Sequence, residues 1–265
     1  MRAPVLAVAA AMALAGCSST SGSATTEPTT TASAPATAAP SASSVADPAA
    51  TTALGQATAA LGTTSFRTTV TAGSGFNLVA AIDAPGGKGN AELTATGTNT
   101  QLKVKSLLLG QDLYAQIPGV TKENTWTHLD MARLPEGANV GLRPGQIDPV
   151  NTANLLGSTT DVRSTGSREY AGTLDLTKAA GLAGIDKVTM DGYGADAQHV
   201  PFTAGLDDQG RLSVLTIQLP AVDGKQTAPI EALYTGYGEP VTAEQPPADQ
   251  VIEAPADVYQ ALGGA

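Results

Sequence analysis

The sequence predicts an α+β protein built on one continuous antiparallel β-sheet, with a few short helices. Three observations predict it. Apolar residues recur at every second position through five consecutive runs between Phe66 and Ile117, with short turns between them; this is the pattern of a meander. Two Asp-Pro pairs, Asp47-Pro48 and Asp148-Pro149, each open a short apolar stretch, as an N-cap and first-turn proline do. After Asp47 no long polar linker interrupts the chain, so both halves are assigned to one sheet.

The first helix starts at Asp47-Pro48. Leu54, Ala57 and Leu61 fall on one of its faces, and Gly62 is expected to close it. Alternation then begins with Phe66, Thr68 and Val70. Past Gly73-Ser74-Gly75 it continues in Phe76, Leu78, Ala80 and Ile82, and past Pro85–Gly89 in Ala91, Leu93 and Ala95. Leu102, Val104, Ser106 and Leu108 make the next run, and Leu113–Ile117 the fifth. The opposite positions, including Arg67, Glu92, Lys103 and Lys105, predict a solvated second face. Trp126–Leu129 reads as a short strand or an edge. Residues 132–146, rich in Pro and Gly, read as a long irregular loop. With a short helix over Val150–Leu156, that loop forms a candidate flap over the sheet.

The second half repeats the plan. Residues 160–164 and 170–176 suggest a hairpin around Gly166. Residues 175–180 turn helical, and Met190–Ala197 is a Gly- and Asp-rich loop. Val200–Leu206 and Arg211–Leu219 flank Asp207-Asp208-Gln209-Gly210, a strong hairpin signal. Ile230–Tyr237 reads as the last strand. A Pro-rich acidic tail, Glu239–Pro255, precedes a final helical turn or two at Ala256–Leu262.

The N-terminus carries an address. Met1-Arg2, an apolar run from Ala3 to Leu14 and the small pair Ala15-Gly16 precede Cys17, the only cysteine of 265 residues. Charge, apolar core and small-residue site are the parts of a secretory signal, and about a dozen apolar residues are too few to span a bilayer. Leu14-Ala15-Gly16-Cys17 resembles the bacterial lipobox, which implies a lipid on the Cys17 sulfur and cleavage before it. The expected organisation is a signal peptide over 1–16, the lipidated Cys17 with a Ser/Thr/Ala/Pro tether over 17–46, and a folded domain over 47–265. The expected location is the outer face of the cell membrane. The tether has one charge, Glu27, and too little apolar surface to fold.

The chain lacks most of the patterns that carry chemistry. A net charge of −10 argues against nucleic acid. His128 and His199 lack metal-ligand spacing, and no second cysteine is present to join them. No Gly-x-Ser-x-Gly elbow occurs. Gly86-Gly87-Lys88-Gly89 reads as a turn rather than a phosphate loop, and Asp207-Asp208-Gln209-Gly210 falls short of a calcium loop. Asp191 and Asp196 read as solvated. The reading is of a non-enzyme that needs no cofactor and no metal.

Several segments together carry a family resemblance. They are Tyr170–Leu176, Pro201–Asp207 with Gly210-Arg211-Leu212, Tyr234–Val241 with Pro246–Asp249, and Tyr114 to Leu129. With the lipobox and the opening helix, residues 47–255 resemble the LppX/LprAFG family of actinobacterial cell-envelope lipoproteins. The resemblance implies a half-barrel: a large curved sheet whose concave apolar side is covered by helices that enclose a hydrophobic cavity. It also implies a carrier of acylated lipids or glycolipids. Expected partners are that lipid, the membrane through Cys17 and a membrane lipid exporter, with the protein itself a monomer. Strand alternation supplies the expected lining: Phe66, Val70, Phe76, Leu78, Ala80, Ile82, Leu93, Leu102, Val104 and Leu108, with Val150 and Leu155 from the flap helix. The alternative is an envelope scaffold or partner-binding lipoprotein whose core is fully packed.

Overall fold

The structure is a computed structural model. It describes residues 46–97, 101–134, 142–143, 145, 147–159, 161–178, 191–222 and 224–263. The expected signal peptide, Cys17 and the tether up to residue 45 lie outside the described residues, as does most of the 132–146 loop.

Helix α1 spans Pro48–Ala60. Asp47 caps it, its carboxylate accepting from the Ala49 N–H at 2.9 Å, which satisfies one of the donors a helix N-terminus leaves free. Ala50, Leu54, Ala57 and Leu61 bury one face. The helix ends at Ala60, and Leu61 and Gly62 continue as a turn, so Gly62 follows the stop rather than making it.

Alternation then builds the meander β1 (Ser65–Ala72), β2 (Phe76–Asp83), β3 (Lys88–Thr96), β4 (Gln101–Leu109), β5 (Asp112–Gln116) and β6 (Trp126–Asp130). A short helix α2 (Thr152–Gly157) leads into β7 (Arg163–Gly166), β8 (Glu169–Leu174), β9 (Val200–Leu206), β10 (Leu212–Ile217) and β11 (Ile230–Thr235). The chain closes with β12 (Val251–Glu253) and helix α3 (Ala256–Gly263). All twelve strands form one open sheet, in the order β12-β6-β5-β4-β3-β2-β1-β11-β10-β9-β8-β7. Every pairing is antiparallel except β12 with β6. The two meanders join where β1 pairs with β11.

Four local expectations change. β6 is not an edge, because Val251–Glu253 pair beside it in parallel. The stretch after residue 190 is not plain loop; Gly194–Gln198 make a 3-10 helix. Helix α2 begins at Thr152, not Val150. The Asp148 carboxylate accepts from the Val150 and Thr152 N–H groups, both at 3.0 Å, and Asn151 takes the left-handed conformation at φ 55°. The capped turn therefore consumes the residues that read as a first helical turn.

The fourth change concerns the outer face, which is not wet throughout. The segment after β11 crosses it. Ser65 Oγ donates to the Glu239 carbonyl at 2.6 Å, Asn90 Nδ2 to the Thr242 carbonyl at 2.9 Å, and Gln245 Nε2 to Tyr114 Oη at 3.2 Å. Register sets Ala81, Asn90, Leu107 and Tyr114 in one row on that face. Ala81, Leu107 and Tyr114 are buried, as are Val241 and Pro246 of the crossing segment.

The main core lies on the other, inner face. It joins that face to α1, α2, α3 and the 142–150 segment in a single apolar cluster. Packing is tight enough to require a glycine at 172. A Cβ there would lie 2.8 Å from the Phe202 ring and 3.1 Å from the Asp161 carbonyl, and Phe202 is fully buried. Gly172→Ala is expected to cost about 1–3 kcal/mol, the usual range for overpacking. Urea unfolding of the variant should show a lower midpoint at unchanged slope.

Candidate functional site: the inner face of the sheet

Register places the ten expected strand residues on one face. Across β1 and β2, Phe66 lies beside Ile82 and Val70 beside Leu78. Leu78 lies beside Leu93, and Leu93 beside Val104. Ala95 links Phe76 to Leu102, and Gly89 links Ile82 to Leu108.

Their environments differ. Phe66, Ile82, Leu108 and Leu155 have no accessible surface, and Val70, Leu78, Ala80 and Val150 keep at most 4%. Such side chains face neither solvent nor a void that water could enter. Phe76, Leu93, Leu102 and Val104 are only half-buried. They lie together at the ends of β2, β3 and β4 nearest the β3–β4 connection.

The helices dock on other strands. α1 packs on α2 and against β7 and β10. At the opposite edge α3 reaches β6, where the Asp130 N–H donates to Tyr259 Oη at 2.9 Å and the Arg133 guanidinium lies 4.1 Å over the Tyr259 ring. The half-buried patch lies on the strands between these two anchor points.

A polar group interrupts the apolar packing under α2. Thr152 Oγ1 and Tyr234 Oη are hydrogen-bonded at 2.5 Å, and Phe66 sits between the Tyr234 and Tyr237 rings, 6.0 and 6.1 Å from their centres. Burial pushes the Asp148 carboxyl up, against the hydrogen bonds it accepts in the α2 cap. Burial also raises the Tyr234 phenol, with the Asp148 charge adding to it, so Tyr234 stays neutral and can donate. A surface pocket of about 400 Å³ opens beside this group, between the end of α1 and the start of α2, with Asp148, Asn151 and Asn154 among its walls. The Thr68 hydroxyl, beside Tyr234 in the register, is buried and acts on the Tyr234 phenol as a weak hydrogen-bonding neighbour, whereas the buried Thr127 hydroxyl on β6 has no hydrogen-bond partner among the described residues.

The polar motifs resolve into structure. Asp207 accepts from the Gln209 and Arg211 N–H groups, both at 2.9 Å, and pairs with the Arg211 guanidinium at 2.7 Å, closing the β9–β10 turn. Asp208 pairs with Arg168 across to the β7–β8 turn. Asp83 accepts from the Gly86 N–H at 2.9 Å, in the turn that carries Lys88. Asp191, Asp196 and His199 are exposed. Among the described residues no group of three or more His, Cys, Asp or Glu could hold a metal ion, and no helix is long and apolar enough to cross a membrane.

No family model matches the chain, and no curated protein does.

His128 has a role that its neighbours in sequence do not reveal. Its Nδ1 lies 3.0 Å from the Glu253 carboxylate on β12 and its Nε2 3.1 Å from Asp112 on β5. The Tyr114 ring is 5.1 Å away. Burial lowers the imidazole pKa, but the Glu253 and Asp112 carboxylates outweigh it, and the net shift is upward from 6.5. When protonated, the ring ties the edge strand to the sheet through both carboxylates. A raised folded-state pKa gives stability that is complete below pH 6.5 and is lost as pH rises through the folded value. Amide hydrogen exchange in β12 should accelerate, relative to intrinsic rates, as pH is raised through that window. In His128→Asn the relative rate should stay flat across it.

Proposed function

We propose that this protein is a membrane-anchored lipoprotein that binds acylated lipids or glycolipids on the inner face of its sheet and carries them across the cell envelope. The observation that carries the reading is the half-buried patch of Phe76, Leu93, Leu102 and Val104 beside a packed apolar core. Apolar surface left partly open beside a packed core is where acyl chains gain most by leaving water, at about 0.8 kcal/mol per buried CH₂. In this reading the sheet is a half-barrel with its helices as a cover. Chains enter at the open patch and part the cover toward the packed residues Leu78, Ala80 and Ile82. The lipid on Cys17 keeps the opening within reach of a bilayer, and the tether supplies the slack. Binding and release are the whole mechanism, since the reading assigns no bond-making residue.

The alternative, a scaffold whose core is fully packed, is favoured by one observation: eight of the twelve expected lining residues keep at most 4% of their surface. The two readings separate by experiment. The full chain carrying Cys17→Ser, purified from its own host, should show co-purified acylated lipid by native mass spectrometry. The double variant Leu93→Asn/Val104→Asn should fold, because both sites are half-exposed, and should lose most of that lipid. A ligand-free wild-type protein, or a double variant that loads normally, would leave the scaffold reading in place.

A further inference from the structure

On the outer face, at the same end of the sheet, β4 and the chain after β5 enclose a cleft of about 340 Å³. Lys103 and Lys105 of β4 line it, with Lys122, Gln116, Thr121 and Asn124. Three of the seven lysines in a chain of net charge −10 thus meet in one place. Lys103 is paired with Glu92 at 2.8 Å. Lys105 and Lys122 have no ion-pair partner among the described residues. Glu123 is the one acid in the wall.

The cleft is shaped by fixed backbone. The Ile117 N–H donates to Thr121 Oγ1 at 2.7 Å, and Thr121 Oγ1 donates back to the Ile117 carbonyl at 3.1 Å. Asn124 holds a left-handed conformation at φ 58°. Ile117, also in the wall, packs against the apolar core. Alternation along β4 sets the two chemistries side by side: Leu102 and Val104 belong to the half-buried inner patch, and Lys103 and Lys105 between and after them face the cleft.

We infer that this cleft binds a phosphate-type anion, and that the anion is the headgroup of a lipid whose acyl chains lie on the Leu93–Leu102–Val104 patch. The inference rests on the carrier reading and adds to it the charge of the cargo and the place of its headgroup. Ammonium groups with amide and hydroxyl donors around them match phosphate oxygens, and two cations without ion-pair partners leave charge for a ligand to neutralise. Acyl chains on one side of the β4 end and a headgroup on the other let one lipid straddle the rim of the sheet.

The test compares two probes with the same acyl chains. The full chain carrying Cys17→Ser is incubated with phosphatidylcholine vesicles that hold equal fractions of dioleoylphosphatidylglycerol or dioleoylglycerol, and loading is read by native mass spectrometry. Phosphatidylglycerol should load in preference, roughly fivefold for two exposed cations, and the preference should shrink with salt. Lys105→Gln/Lys122→Gln should abolish the preference and leave dioleoylglycerol loading unchanged. Equal loading of both probes by the wild type, or a preference that survives in the variant, overturns the inference and leaves the carrier reading standing. Strong competition by inorganic phosphate, with dioleoylglycerol still loading, assigns the cleft to a free anion and overturns the headgroup assignment. If no lipid loads, phosphatidylcholine included, the carrier reading and the inference fall together.

Discussion

An open sheet of twelve strands must cover two faces and protect two edges, and every other feature of this fold follows from how that is done. Unpaired strand edges invite pairing with other chains. One edge, β7, is four exposed residues, with Arg163 at its start and a register shift between Ser164 and Gly166, which keeps it short and irregular. The other edge ends in β12, only three residues long. Behind it the Ala254 N–H donates to the His128 carbonyl at 2.9 Å, and α3 follows directly. The C-terminal segment does double duty: residues 239–250 cross the outer face, and the next three close the edge. Small residues in the strands, such as Ala80 and Ala91, let the layers above them approach closely, and the scarcity of aromatic volume makes tight packing of Leu and Val the main source of burial.

Period-two alternation makes most of this sheet legible in the sequence. Alternate side chains of a strand share a face, so Phe66, Ile82, Leu93 and Val104 group together from their spacing alone. The Asp47-Pro48 cap and the Asp207–Gly210 turn are equally readable, because each is a local hydrogen-bond pattern written in four or five residues. What alternation does not encode is what lies on top. It cannot tell a fully buried residue, such as Phe66, from a half-buried one, such as Leu102, since both are apolar at even positions. Burial of that kind depends on where helices dock from distant parts of the chain.

The features that the sequence hides share a cause. The tail from Glu239 reads only as a Pro-rich acidic stretch because Pro and Glu form no periodic pattern, yet it docks through backbone carbonyls at Glu239 and Thr242, which every sequence possesses. The strand Val251–Glu253 is too short to show a period. The start of α2 is displaced because Asp148 caps a turn before the helix as readily as the helix itself. His128 lacks metal-type spacing and so carries no local signal; its partners, Asp112 and Glu253, lie 16 and 125 residues away. Apart from the Asp148 turn, each of these is a long-range contact, which a single sequence does not display.

β4 joins the two proposed surfaces, because a strand can satisfy two environments at once only by alternating. Buried at its Leu107–Leu108 end on both faces, it is half-open at Leu102–Lys105, apolar toward the inner side and cationic toward the outer. Glu92 accounts for Lys103 at 2.8 Å, which leaves Lys105 as the lysine beside Leu102 and Val104 without an ion pair among the described residues. The same four residues make sense together if one amphipathic molecule meets both sides of the strand end, its chains against Leu102 and Val104 and its charge against Lys103 and Lys105. The proposed carrier activity and the proposed headgroup site thus depend on one local property of the sheet: its inner face is only half-buried where its outer face carries Lys103 and Lys105.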